Sequence, residues 1–507
     1  MKKNNIMRKS VKLFLAPFIF LLGACKSFGA CKEEGVAMMN SGYTHWPNSY
    51  ASDASPARVD TNSYTEIKEN NFINTSENNK STFSLCSSTG AYTNLKNLVM
   101  NYGTMPDKNA VIIEQMLNYF DYSYEPNENE TLAIFNEVSD CPWNSNHKLA
   151  SIAVKAKDAE VPPGHNNFVF LIDVSGSMTY VMDMVKSSFE ILVRNLSDND
   201  RVSIVTYANG VSTVLDGASG KDRDLIISKV NGLMAGGATN GSGGIQKAYE
   251  IARKHFIDDG NNRVILATDG DFNIGISDQT DLKNYIADKR DSGIYLSILG
   301  FGMGNYHSST AETLAKNGNG NMFYIDNEAT ANKLFGQGLM AAFEVVAKDT
   351  KTQVTFDSNQ VASYRLLGYE NALLSDDDFH NTQKDAGEIL SGDVTVAMYE
   401  IVLNENVDLT QSLFTSEIHY KDPKTSVDKE LKNENAIYRA TKSDDFVFQA
   451  LVVEYGLVLR DSQYKGDATY NHVIGLYEEK SSIFNRDDNR KEFYNLVRAT
   501  KALKNGN

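Results

Sequence analysis

The chain has 507 residues, 41% of them hydrophobic and 22% charged, which is ordinary globular composition and length for two or three cores rather than one. Its 49 Lys and Arg against 65 Asp and Glu leave a net charge of −16. That balance repels an extended polyanion, and no local basic patch offsets it, so nucleic acid is excluded as a partner.

At the N-terminus, Lys2, Lys3, Arg8, Lys9 and Lys12 precede an apolar run of 12 residues from Leu13 to Ala24, well short of the ~20 needed to span a bilayer as a helix. The run reads as a secretory signal. Its end, "LLGAC", resembles the bacterial lipobox, which implies that Leu22, Gly23 and Ala24 are read by the lipoprotein signal peptidase and that Cys25 receives the lipid. On that reading residues 1–24 are a lipoprotein signal peptide, and the exported chain is held at the cell envelope by a lipid anchor in the membrane. Ordinary secretion with a cut near Ala30, or an uncleaved short anchor, are the alternatives. Removing the five leader cations leaves 44 against 65 acids, or −21, on the mature chain.

Four cysteines are present, Cys25, Cys31, Cys86 and Cys141. With Cys25 acylated the other three allow at most one internal disulfide, and the pair is open. There is no CxxC, and the eight His include no HxxxH pair, which argues against zinc.

Residues 25–55 are irregular and polar, suited to a tether. Within the N-terminal segment, 56–158, the stretch 66–105 contains "KENNFINTSENNKST" and reads as an exposed Asn/Ser-rich insertion that buries little apolar surface. "KNAVIIEQMLNYFDYSY" follows, with Ile113, Met116, Leu117 and Phe120 on one helical face suited to packing on a neighbouring domain. "HKLASIAVKAKD", 147–158, reads as a strand.

From 166 to 347 strands alternate with helices. Strands are expected at Phe168–Ile172, Val202–Tyr207, Val264–Ala267, Tyr295–Gly300 and Met322–Ile325. Continuous apolar strands with helices between them predict a doubly wound, mostly parallel sheet covered on both faces. Residues 348–507 change again to alternating antiparallel strands followed by helices, "SDDFVFQALVVEYGLVLRD" with Ser443 as N-cap and "NRKEFYNLVRATKAL". Because 147–158 lies just before the α/β segment, it is expected to pair with these later strands, so that the α/β domain is inserted in a β-rich frame with C-terminal helices.

Ligands of open α/β sheets sit at the carboxyl ends of the strands, where this chain places oxygen donors. The first strand ends in Asp173, Ser175 and Ser177. "GGATNGSGG", 236–244, supplies Thr239, and "RVILATDG" supplies Asp269. Two carboxylates and three hydroxyls without His or Cys suit a hard divalent cation, Mg²⁺ foremost or Mn²⁺ or Ca²⁺. Taken singly, Asp and Ser after a strand are ordinary helix N-caps; three loops in order point to metal. Asp271 and Asn273 read as solvated loop rather than ligands, and the Gly cluster gives Thr239 room to approach.

This pattern resembles the von Willebrand factor type A (VWA) domain with its metal-ion-dependent adhesion site: DxSxS at Asp173, Ser175 and Ser177, the distant threonine at Thr239 and the later aspartate at Asp269. The resemblance implies a Rossmann-like fold in which the two serines and the threonine touch the metal, the aspartates hold it mainly through water, and a partner's carboxylate takes an open position. "NAVIIEQMLNYFDY", "CPWNSNHKL", "NNRVILATDGDFNIGIS", "LGFGMGNY", "GNGNMFYIDN" and "YRLLGYENALL" further resemble a bacterial group of VWA proteins with an added N-terminal segment and a C-terminal domain, over most of 56–500.

Enzyme signatures fail at specific places. Ser175 stands where a haloacid-dehalogenase DxD needs its second acid, "GASGKD" lacks the first Gly and the Ser/Thr of a P-loop, "GFGMGN" lacks the last Gly of GxGxxG, and no GxSxG elbow occurs. The expected function is an envelope lipoprotein that binds a protein ligand through a metal-bridged acidic residue. A subunit of an envelope assembly or channel-associated complex, and a metal-dependent hydrolase, are the other two readings.

Overall fold

The computed structural model describes residue 64 and residues 66–506 except 86, 128–129, 159–165, 238–241, 271–278, 302–307, 336–344, 385 and 424. The signal, the tether, Cys25, Cys31, Cys86, Thr239, Asp271 and Asn273 therefore lie outside the described residues. The N-terminal segment forms β1 (Ile73–Asn74), β2 (Lys80–Ser84), α1 (Gly90–Lys96) continued by a π turn over 97–101, α2 (Ile113–Leu117), β3 (Leu132–Asp140) and β4 (Lys148–Ala156).

The α/β segment contributes β5 (Asn166–Asp173), α3 (Met182–Arg194), β6 (Arg201–Tyr207), β7 (Val211–Ser219), α4 (Arg223–Asn231), α5 (Ser242–Lys254), β8 (Asn261–Thr268), α6 (Gln279–Asp291), β9 (Ile294–Phe301), α7 (Ser308–Asn317), β10 (Met322–Ile325) and α8 (Glu328–Phe335). Its sheet runs β10-β9-β8-β5-β6-β7, parallel throughout except where β7 lies antiparallel on β6. β5 is buried along its whole length because both faces are covered. Phe168, Phe170 and Ile172 pack with Phe189 and Leu192 of α3, while Val169 and Leu171 pack with Ile245 and Ala248 of α5. Each such side chain contributes ~1.5–3 kcal/mol of burial.

The remainder forms β11 (Val345–Phe356), β12 (Val361–Leu367), β13 (Leu373–Leu374), β14 (Gly387–Leu390), β15 (Val394–Leu403), β16 (Phe414–Lys421), β17 (Asp428–Asn433), α9 (Asp444–Arg460), α10 (Tyr470–Glu479), α11 (Ser481–Phe484) and α12 (Asp488–Lys504). β4 does pair with β15, in a sheet ordered β1-β12-β15-β4-β3, and a second sheet runs β13-β2-β11-β16-β17 with β14 on β11. The α/β domain thus interrupts an antiparallel frame. The period-two alternation of β4 shows how the frame layers: Ala150, Ile152 and Val154 face the second sheet, and Leu149 and Ala153 face the helices. α9 is apolar on nearly every side, so it is buried at the centre of the helical layer. Its N-cap is Ser443, whose Oγ accepts from Phe446 N at 3.0 Å.

Two expectations need correction. The stretch 66–105 is not an exposed insertion throughout: residues 66–80 are mostly exposed, but β2 enters the second sheet between β11 and β13, and Phe83, Leu85, Tyr92 and Leu95 are buried. Two of its asparagines serve neighbouring carbonyls, Asn70 Nδ2 donating to Leu366 and Gly368 at 3.1 and 2.8 Å and Asn79 Nδ2 to Phe356 at 3.0 Å. The helix expected around Ile113 to Phe120 spans Ile113–Leu117 alone, although Ile113, Met116, Leu117 and Phe120 are all buried in the helical core. Cys141 is a free, buried thiol, its pKa raised by burial and then by the Glu400 charge.

Beside α2, the buried Glu114 carboxylate accepts from Tyr369 N at 2.9 Å. Burial, and next the charge of Glu370, push its pKa up from 4.5 to about 7. The folded state therefore binds more protons than the unfolded one in that interval, so this stability is complete below 4.5 and is lost as pH rises through 7. Glu114→Gln should flatten the fall in urea midpoint between pH 5 and pH 8 and be the more stable form at pH 8. A variant that tracks the parent at every pH would show that Glu114 is ionised in the fold throughout.

Candidate metal centre at the strand ends

The chain leaves β5 for β6 and β7 on one side, then crosses to β8 on the other. The carboxyl ends of β5 and β8 therefore flank the switch point, where connecting loops diverge and leave a crevice. Ile172 and Ala267 are register partners, so Asp173, the last residue of β5, and Asp269, just past β8, emerge from neighbouring strand ends.

Asp173 is fully buried. Its Oδ1 accepts from Ser175 N at 2.7 Å, which folds the loop back on the strand end, while Oδ2 is buried without a hydrogen-bond donor. Ser175 is buried and Ser177 exposed, with their hydroxyl oxygens 3.0 Å apart. Ser175 sits at the N-cap of a 3-10 turn over 176–180, yet its side chain makes no capping bond. Helix capping therefore does not account for its hydroxyl.

The second loop is fastened to the first by backbone. Gly236 N donates to Val174 O at 2.8 Å, and Gly176 N donates to Gly237 O at 3.0 Å. Gly237 has φ +96, and a Cβ there would stand 2.4 Å from the Asn209 amide, so glycine is required for this approach. Thr239 follows two residues later. At the far end of the loop Gly244 lets α5 close on β6, where a Cβ would meet Tyr207 at 3.0 Å. Asp269 is half-buried and precedes Gly270, whose N donates to Thr268 Oγ1 at 3.3 Å.

Burial raises the Asp173 pKa; the bonds from Ser175 oppose this, and the charge of Asp269 adds to it. Burial and the Asp173 charge likewise raise the neighbouring Tyr207 phenol. Two carboxylates near each other and an orphaned buried oxygen form an electronegative pocket that a dication would neutralise. The donor set is all oxygen, so the residues fit a hard divalent ion. The structure brings Asp173, Ser175, Ser177 and Asp269 to one end of the sheet and ties Gly236 and Gly237, just before Thr239 in the chain, to the loop after β5. Sequence reasoning missed Tyr207, beside Asp173, and Asn209, against Gly237; the position of Tyr207 at the end of β6, next to β5, was the available signal.

The von Willebrand factor type A domain family matches residues 167–337, a von Willebrand factor family matches 58–151, and the C-terminal family of uncharacterized protein YfbK matches 341–503. Uncharacterized protein YfbK of Escherichia coli (strain K12) is 32% identical over 471 residues, covering 87% of this chain and 81% of the relative. Inter-alpha-trypsin inhibitor heavy chain H1 of Sus scrofa is 28% identical over 210 residues, 38% of this chain and 22% of that one. Among solved structures, a von Willebrand factor type A protein from Catenulispora acidiphila is 17% identical, covers 71% of this chain and 90% of that one, and has a TM-score of 0.36. The strand order, the loop arrangement and the relation to the E. coli protein lead to one conclusion: the chain belongs to the YfbK family of bacterial VWA proteins, with a C-terminal YfbK domain.

Proposed function

We propose that the chain is an exported lipoprotein that binds a protein partner through the strand-end site, with Mg²⁺, or Mn²⁺ or Ca²⁺, held by Asp173, Ser175, Ser177, Thr239 and Asp269 and completed by a Glu or Asp of the partner. VWA domains are protein-interaction modules, which supports recognition rather than chemistry as the role. The observation that carries the reading is the buried Asp173 Oδ2 with no hydrogen-bond donor, two residues before Ser175, whose hydroxyl makes no capping bond. An acidic chain otherwise repels an acidic partner, so the ion supplies the local attraction. Partner capture from envelope extract should vanish in EDTA, return in Mg²⁺, and survive moderate salt better than a diffuse charge contact. Equal capture in EDTA and in Mg²⁺ would refute the metal bridge.

The address rests on Cys25. Cys25→Ser should shift the protein out of the detergent-soluble membrane fraction or leave it unprocessed, with loss of acyl mass. Membrane association and mass unchanged in the variant would refute lipidation at Cys25.

A further inference from the structure

The frame carries a second cluster, on its outer edge strand. His419 of β16 and Glu430 of β17 are directly opposed in the antiparallel register, so their side chains leave the same face of the sheet. The 3-10 turn over 376–378 leads into Phe379 and His380, whose ring lies edge-on to that of His419 with centroids 6.0 Å apart. His380 Nδ1 stands 3.1 Å from Glu430 Oε1, and one ligand atom from each of the three residues lies within 4.8 Å of the others. Donors around a tetrahedral Zn²⁺ are separated by roughly 3.3 Å. Small rotations of the exposed His380 and Glu430 side chains therefore close the set.

A surface ion pair explains His380 with Glu430. It does not explain His419, which is 4% exposed, has a buried Nδ1 without a hydrogen-bond partner, and brings Nε2 no nearer than 3.6 Å to Asp428 Oδ1. A buried ring nitrogen left unmatched carries an uncompensated desolvation cost. Glu430 and Asp428 face the cluster with negative charge. The cation opposite His419 on β11 is Lys351, whose ammonium is engaged by the Asn381 carbonyl.

We propose that His380, His419 and Glu430 form a transition-metal site of the Zn²⁺ class, with Asp428 or water in the fourth position. Two imidazoles and one carboxylate prefer Zn²⁺ to Mg²⁺, unlike the all-oxygen donors of the strand ends. A bound ion would join the loop after the 3-10 turn to β17 and fasten an edge strand of the frame. The sequence concealed this set because it is assembled by strand register and not by HxxxH spacing.

The test is a Zn²⁺ titration of the metal-stripped full chain in excess Mg²⁺, with Co²⁺ absorption as a second readout. One equivalent should bind, and Co²⁺ should give the visible bands of a four-coordinate site with nitrogen ligands. His380→Ala and Glu430→Gln, both at exposed positions that the fold tolerates, should each weaken Zn²⁺ binding at least ~10-fold, while Asp173→Ala leaves it unchanged. Absence of saturable Zn²⁺ binding by the parent chain, or unchanged affinity in both variants, would overturn the assignment. Loss of Zn²⁺ binding in Asp173→Ala alone would move the ion to the strand ends.

Discussion

Lys96→Ala should destabilise the chain by about 3–5 kcal/mol, the cost of leaving a buried charge unpaired. The Lys96 ammonium, at the end of α1, pairs with Asp326, just after β10, and lies 2.9 Å from Glu492 of α12. Its side chain is 4% exposed and that of Asp326 5%. Burial opposes the charge, but Tyr119, Asp326 and Glu492 outweigh it and hold the Lys96 pKa above its ordinary value. Asn321 Nδ2 to Ser87 Oγ, at 3.4 Å, joins the same two regions. The network therefore fastens the α/β domain to the frame, and its loss should appear in urea unfolding as a lower midpoint. A loss below ~1 kcal/mol would mean that the pair behaves like a solvated surface bridge. Replacing Lys96 and Asp326 together by Met and Leu should recover most of the loss, because no buried charge then remains.

Asp173→Ala should lower Mg²⁺ affinity by ~10–100-fold or more, the scale on which groups orienting a metal act, while the metal-free fold is little changed. The two halves have separate causes. The parent Asp173 sets its bonds from Ser175, Oδ1 to N at 2.7 Å among them, against burial, an unmatched Oδ2 and the charge of Asp269. Removing it in the absence of metal exchanges a modest loss for relief of a similar size. With metal the balance differs: Mg²⁺ at 100 times its Kd stabilises the fold that binds it by ~2.7 kcal/mol. A melting-temperature rise in Mg²⁺ should appear in the parent and be absent from Asp173→Ala. An equal rise in both would remove Asp173 from the site.

The end of β5 was the most legible part of the sequence because that strand is buried on both faces. Such a strand is a continuous apolar run, and the break into Asp173, Ser175 and Ser177 marks its carboxyl end without ambiguity. β7 was missed for the opposite reason. It is an edge strand, half-exposed on both faces, and Gly217 interrupts it with φ +71, so neither periodicity nor apolar content marks it. The segment 66–105 misled because asparagine reads as loop, whereas Asn70 and Asn79 hydrogen-bond backbone carbonyls of β12, Gly368 and β11. Around α2 the helical spacing placed the right residues in the core, yet it overstated the helix: Phe120 N already reaches Leu117 O in a turn. Pairing between β4 and β15 could be anticipated from the order of segments; the opposition of His419 and Glu430 could not, since register is set by contacts distant in sequence.

The central claim, a divalent cation at the carboxyl ends of β5 and β8, is tested most directly by locating the ion. Crystals of the chain grown with Mn²⁺ should show an anomalous peak about 2 Å from the Ser175 and Ser177 hydroxyl oxygens, with the Thr239 hydroxyl in the same shell and Asp173 and Asp269 beside it. A Mn²⁺-saturated crystal with peaks elsewhere and none at these strand ends would contradict the account.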